Sequence, residues 1–81
     1  MLTTLDMLKI GNTGYIYDIK TSKYIKKRLL DLGLINGTKI KALYKSPFND
    51  PTSYLVRSSV IALRSSDCKN IIIEIGDIQN E

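Results

Sequence analysis

No histidine occurs in the 81 residues, so the side chain that most often acts as a general base at neutral pH is missing. A serine or cysteine nucleophile would need a lysine or carboxylate to activate it, and no spacing in the chain supplies one. With a single thiol besides, a transition-metal site would have to be mostly carboxylate. Asp50, Asp67 and Asp77 lie apart in the sequence, and nothing in the pattern makes them converge. Neither a specific metal site nor a cofactor is expected. Gly11-Asn12-Thr13-Gly14 is too short to be a phosphate-cradling loop. The residues describe no enzyme.

Other scarcities bound the architecture. One cysteine, Cys68, cannot staple the fold, and an unpaired thiol suits a reducing compartment. No apolar run approaches the ~20 residues that span a bilayer, so no membrane insertion is expected. Met1-Leu2-Thr3-Thr4-Leu5-Asp6 lacks the basic start and apolar run of a secretory signal. The expectation is a cytoplasmic protein with one domain, residues 1–81, whose apolar elements share one core.

What the chain does have is unevenly placed positive charge. Its formal net charge is +4. Between Lys20 and Lys45, however, Lys20, Lys23, Lys26, Lys27, Arg28, Lys39, Lys41 and Lys45 face Asp31 alone, so that stretch carries +7. Such asymmetry fits an acidic partner surface, an anionic membrane or nucleic acid, and it equally fits a solvated face that aids solubility.

The period of the sequence changes several times. Thr4 to Leu8 allows one helical turn, and Gly14–Ile19 reads as a strand with Ile16 inward and a bulge or bend at Ile19. Thr21 or Ser22 can cap a helix from about Lys23 to Leu32. Ile25, Leu29 and Leu32 share one stripe of it, which should face the core. Gly33 suits the left-handed residue that closes a helix, and Asn36-Gly37 suits the following turn. Further strands are expected at Lys39–Tyr44, Thr52–Arg57, Val60–Leu63 and Ile71–Ile75. A single helical turn, capped by Ser65, fits Ser65–Cys68. Five short strands and a short helix suggest a mainly β fold, a small, strongly bent barrel.

Three segments, in this order and spacing, resemble the FeoA family of ferrous-iron transport accessory proteins. They are Arg28-Leu29-Leu30-Asp31-Leu32-Gly33-Leu34 with Gly37-Thr38, then Ser46-Pro47-Phe48-Asn49-Asp50-Pro51, then Ile61-Ala62-Leu63-Arg64 with Cys68 and Ile71. The match runs from about Leu5 to Ile75. Asn36 stands where the family usually has proline, Asn49 where it often has glycine, and Ser58-Ser59 where a glycine-plus-hydrophobic pair is frequent. The resemblance implies an SH3-like β-barrel. It also implies a cytoplasmic partner of the iron permease FeoB, whose GTP-binding domain faces the cytosol.

Two other classes remain open. One is an SH3-like regulatory module like the C-terminal domain of metal-dependent repressors. No helix-turn-helix precedes the barrel here, so a free-standing protein fits better. The other is a basic nucleic-acid-binding barrel. Its lysines are not interleaved with aromatics as a stacking platform requires, so no nucleic acid is expected as a partner.

The candidate partner-binding residues are Lys23, Lys26, Lys27, Leu30, Phe48 and Arg64. Leu30 falls off the Ile25/Leu29/Leu32 stripe, among the helix lysines, where it is either an apolar anchor or is covered by a loop. Lys23 and Asp31 oppose the helix dipole, so helix stability does not account for them. Phe48, at a hairpin tip, either folds back or contacts a partner. Arg64 makes an ion pair inside the domain or meets a partner. Asp50 should bond its own turn, and Cys68 reads as a buried structural thiol. An exposed hairpin on such a barrel could also pair with its own copy.

Overall fold

The computed structural model describes residues 1–76. Period-2 alternation sets its strands. In β2 (Thr13–Ile19), Gly14 and Ile16 point inward while Tyr15 and Tyr17 point out. In β6 (Ile71–Glu74), Ile71 and Ile73 are wholly buried and Glu74 is exposed. The remaining strands are β1 (Leu2–Thr4), β3 (Lys39–Lys45), β4 (Thr52–Val56) and β5 (Ser59–Leu63). All neighbours are antiparallel, in the order β1-β6-β2-β3-β4-β5. The mainly β, barrel-like fold is as expected, with a correction to its edges. Among the described residues there are six strands rather than five, and the sheet order is open, with β1 and β5 at its two ends. The extra strand, β1, is too short to show a period in sequence. It is fixed from outside by pairing with β6 and by the N-terminal amine on Glu74.

The break in alternation is real but lies earlier than Ile19. Ile16 pairs with Ile73 and Asp18 with the adjacent Ile72, which leaves Tyr17 as the extra residue of a bulge. That insertion resets the parity, so Ile16 and Ile19 both face the core. β2 and β6 also approach closely at Gly14. A Cβ there would lie 3.0 Å from Ile73 Cδ1 and 3.4 Å from the Glu74 carbonyl oxygen. Ile73 is fully buried and has little room to move. Gly14→Val should therefore destabilise the protein by about 1–3 kcal/mol in urea titration.

Among the described residues the strand connections hold two α-helices, α1 (Lys23–Asp31) and the single turn α2 (Ser65–Cys68), and the expected early helical turn is a 3-10 turn at Leu5–Met7. Of the two candidate caps for α1, Ser22 is used: its Oγ accepts from the Ile25 amide at 3.3 Å. The other end is closed by two backbone bonds, Gly33 N to Leu30 O at 2.9 Å and Leu34 N to Leu29 O at 3.1 Å. Gly33 sits at φ +99°, in the left-handed region, as this closing motif requires. The reversal corrects the expected helix stripe. Leu32, the C-cap of α1, keeps helical backbone angles (φ −81°, ψ −4°), yet its side chain is 42% exposed. Leu34 takes the core position instead, fully buried with Leu29, while Ile25 is half-buried at the edge. Elsewhere among the described residues the left-handed positions are Gly11, Gly37, Asn49 and Arg57. Asn36 is not among them, so the turn after α1 takes its positive angle from Gly37 alone.

Candidate functional site

The outer face of α1 carries four of the six candidate residues. At about 100° per residue, Lys23, Lys26, Lys27 and Leu30 cluster on the side away from Ile25 and Leu29. All four are exposed. Among the described residues no carboxylate pairs with these three lysines. The neighbouring cations are neutralised. Arg28 pairs with Asp67 at 3.7 Å, tying α1 to α2, and Lys20 pairs with Asp18 at 3.1 Å. Leu30 is 41% exposed and open to solvent, not covered by a loop. Tyr24, 80% exposed beside Lys27, extends the face. Sequence reading missed it, although its position off the core stripe was available.

The Ser46–Pro51 tip holds Phe48 and Arg64 in a second group. Ser46 Oγ donates to the Asp50 carbonyl at 2.7 Å and accepts the Asp50 amide at 3.1 Å. The Asn49 amide bonds Ser46 O at 2.8 Å, with Asn49 at φ +67°. So braced, the tip projects Phe48 outward at 89% exposure, and it does not fold back on the barrel. The Asp50 side chain does not bond its own turn, contrary to the expectation from sequence; the Ser46 hydroxyl bonds the Asp50 backbone there instead. Asp50 Oδ1 accepts the Ser65 amide at 2.8 Å, at the start of α2, with Arg64 Nη1 4.0 Å from Oδ2. Asp50 thus serves as a cap delivered from another loop. Ser65 makes no side-chain cap there. Asp50→Ala should lower stability by about 0.5–2 kcal/mol, read as a drop in urea midpoint.

Cys68 is buried, as expected, with its Sγ 3.5 Å from Tyr54 Oη. Burial, above all, pushes the thiol up to about 11 and the phenol well above its ordinary range. The folded state therefore holds both protons more tightly than the unfolded chain. Stability from this pair is intact below pH 9 and declines as pH rises through about 11. Unfolding midpoints measured from pH 8 upward should show that loss, and Cys68→Ala should reduce it. At neutral pH the thiol should react slowly with iodoacetamide until the chain unfolds. No group of three or more metal-ligating residues gathers among the described residues. Asp77 lies outside them.

The architecture is that of a small SH3-like barrel presenting a basic helix and an aromatic hairpin tip, linked through α2. The FeoA domain family matches residues 3–75, and the chain belongs to that family. A putative Fe(2+) transport protein A of Campylobacter jejuni is 31% identical over 72 residues, covering 89% of this chain and 97% of that protein. An Fe(2+) transport protein A/FeoB fusion protein of Porphyromonas gingivalis is 27% identical over 71 residues. The matched part is 88% of this chain but 8% of the fusion. Among solved structures, the zinc-complexed FeoA of Stenotrophomonas maltophilia, described as an SH3 domain protein, superposes with a TM-score of 0.78. It is 24% identical, with 89% of each chain covered.

Proposed function

We propose that this chain is an accessory protein of ferrous-iron uptake, working in the cytoplasm as an interaction module on the GTP-binding part of a FeoB-type permease. The observation that carries this reading is the Porphyromonas gingivalis fusion. There a segment similar to this chain shares one polypeptide with an Fe(2+) transporter FeoB. Covalent linkage gives the two parts a high effective concentration for each other, and separate chains need a docking surface to achieve the same. The α1 face offers such a surface, with Leu30 as an apolar centre ringed by Lys23, Lys26 and Lys27. The Phe48 tip offers a second contact, and Arg64 stands beside it. No helix among the described residues is long and apolar enough to cross a membrane, so an attachment through the permease suits the chain.

Calorimetry of the chain against the isolated cytosolic domain of the permease, with and without guanine nucleotide, tests the proposal. Saturable binding to that domain is expected. Absence of binding in both nucleotide states would remove the permease domain as the partner.

A further inference from the structure

A groove of about 360 Å³ runs over the outer face of the sheet, lined by Thr13, Lys39, Lys41, Leu55 and Arg57. Cross-strand register places Thr13, Lys41 and Leu55 in one row, since Thr13 pairs with Lys41 and Lys41 with Leu55. Residues paired in this way project to the same face. Arg57 reaches the groove from the β4–β5 turn, its Nε 3.9 Å from the Cβ position of Gly33 at the end of α1. Lys39, Lys41 and Arg57 bring three cations, and among the described residues none forms an ion pair. Leu55 is half-buried between them and gives the floor an apolar centre.

We infer that this groove is a binding site for an extended acidic peptide segment in which two carboxylates flank an aliphatic side chain. In an extended segment residues i, i+2 and i+4 face one way, so a Glu-x-Leu-x-Glu pattern turns both acids and the leucine to the same side. The acids meet the lysines and Arg57, and the leucine meets Leu55. Charge complementarity specifies the acids, and the apolar floor distinguishes a peptide from a free anion. A nucleic-acid strand fits less well. Among the described residues no aromatic side chain lines the groove itself, and the single Tyr15 at its edge, beside Lys39, is no stacking array for bases. Glu74, paired across β2 from Tyr15, which itself pairs with Lys39, ends the positive stretch on that side. The site is separate from the outer face of α1 and does not depend on which partner that face binds.

The test is an NMR titration of the isotope-labelled chain with the synthetic peptide Gly-Glu-Ser-Leu-Ser-Glu-Gly. Parallel titrations use its Gln-for-Glu analogue, inorganic phosphate and an oligothymidylate. The amides of Thr13, Lys39, Lys41, Leu55 and Arg57 should shift with the acidic peptide. The Gln analogue, phosphate and the oligonucleotide should each bind more weakly. Lys41→Glu and Leu55→Ser should each weaken the peptide by about tenfold, the scale of one good contact. Lys26→Glu should leave it unchanged. Leu55→Ser keeps every charge, so unchanged binding in that variant would reduce the site to diffuse attraction and overturn the proposal. Tighter binding of the oligonucleotide, equal binding of the Gln analogue, or no shift at these five amides would overturn it as well. Lys41 is exposed, so its variant keeps the test valid if Leu55→Ser unfolds.

Discussion

Leu34→Ala should lose about 2–5 kcal/mol of stability, as should Leu29→Ala, whereas Leu32→Ala should change it by less than about 1 kcal/mol. The expectation rests on the closing turn of α1. The bonds from Gly33 to Leu30 and from Leu34 to Leu29 fold the chain back across the last helical turn. Leu34 is thereby carried into the core beside Leu29, both fully buried, while Leu32 is left 42% exposed. Truncating either buried leucine removes apolar contact and leaves a cavity that the sheet cannot collapse around. In a protein this small that loss is a large share of the total stability. Urea midpoints for the three variants separate the possibilities. A large effect at Leu32 with little at Leu34 would mean that Leu32, not Leu34, holds the core position.

The second large effect concerns binding. Lys26→Glu combined with Lys27→Glu should weaken association with the permease's cytosolic domain by at least about tenfold, and Leu30→Ser should do so to a similar degree. All three positions are exposed, so the variants should melt within about 0.5 kcal/mol of the parent. The two changes act differently. Reversing the lysines alters steering and rim charge, so its effect should shrink as salt rises through the range that screens exposed charges. Removing the Leu30 side chain takes away an apolar anchor, and that loss should persist at high salt. Binding left intact by both variants would move the interface to the Phe48 tip.

Most of the strands, and the positions of α1 and α2, were legible because their alternation, caps and turn glycines agree locally. β1 was not, because three residues carry no period and its place is set by Glu74 and Ile75 at the far end of the chain. The misassigned Leu32 is more instructive. Gly33 is legible in the sequence as the left-handed closing residue, and a closing turn of that kind implies an apolar contact for the residue after it. Leu32 lies before Gly33 and keeps helical angles, but the chain turning back through Gly33 brings Leu34 into the core position that the stripe assigned to Leu32. The α1 face was legible from spacing alone. The role of Asp50 was not, since its partner, the Ser65 amide, is 15 positions away and is reached only through the fold. The groove beneath Lys39, Lys41 and Arg57 was hidden for the same reason. Its residues come from three strands and a turn, and only the register brings them together.

The most direct test of the central claim is to map the isotope-labelled chain by NMR as the isolated cytosolic domain of a FeoB-type permease is added. Signals of Lys23, Lys26, Lys27 and Leu30 should broaden or shift first, with Phe48 following if the tip forms the second contact. A spectrum unchanged at saturating permease domain, or one perturbed only at positions remote from α1 and the tip, would contradict the assignment of this chain as a docking module for the permease.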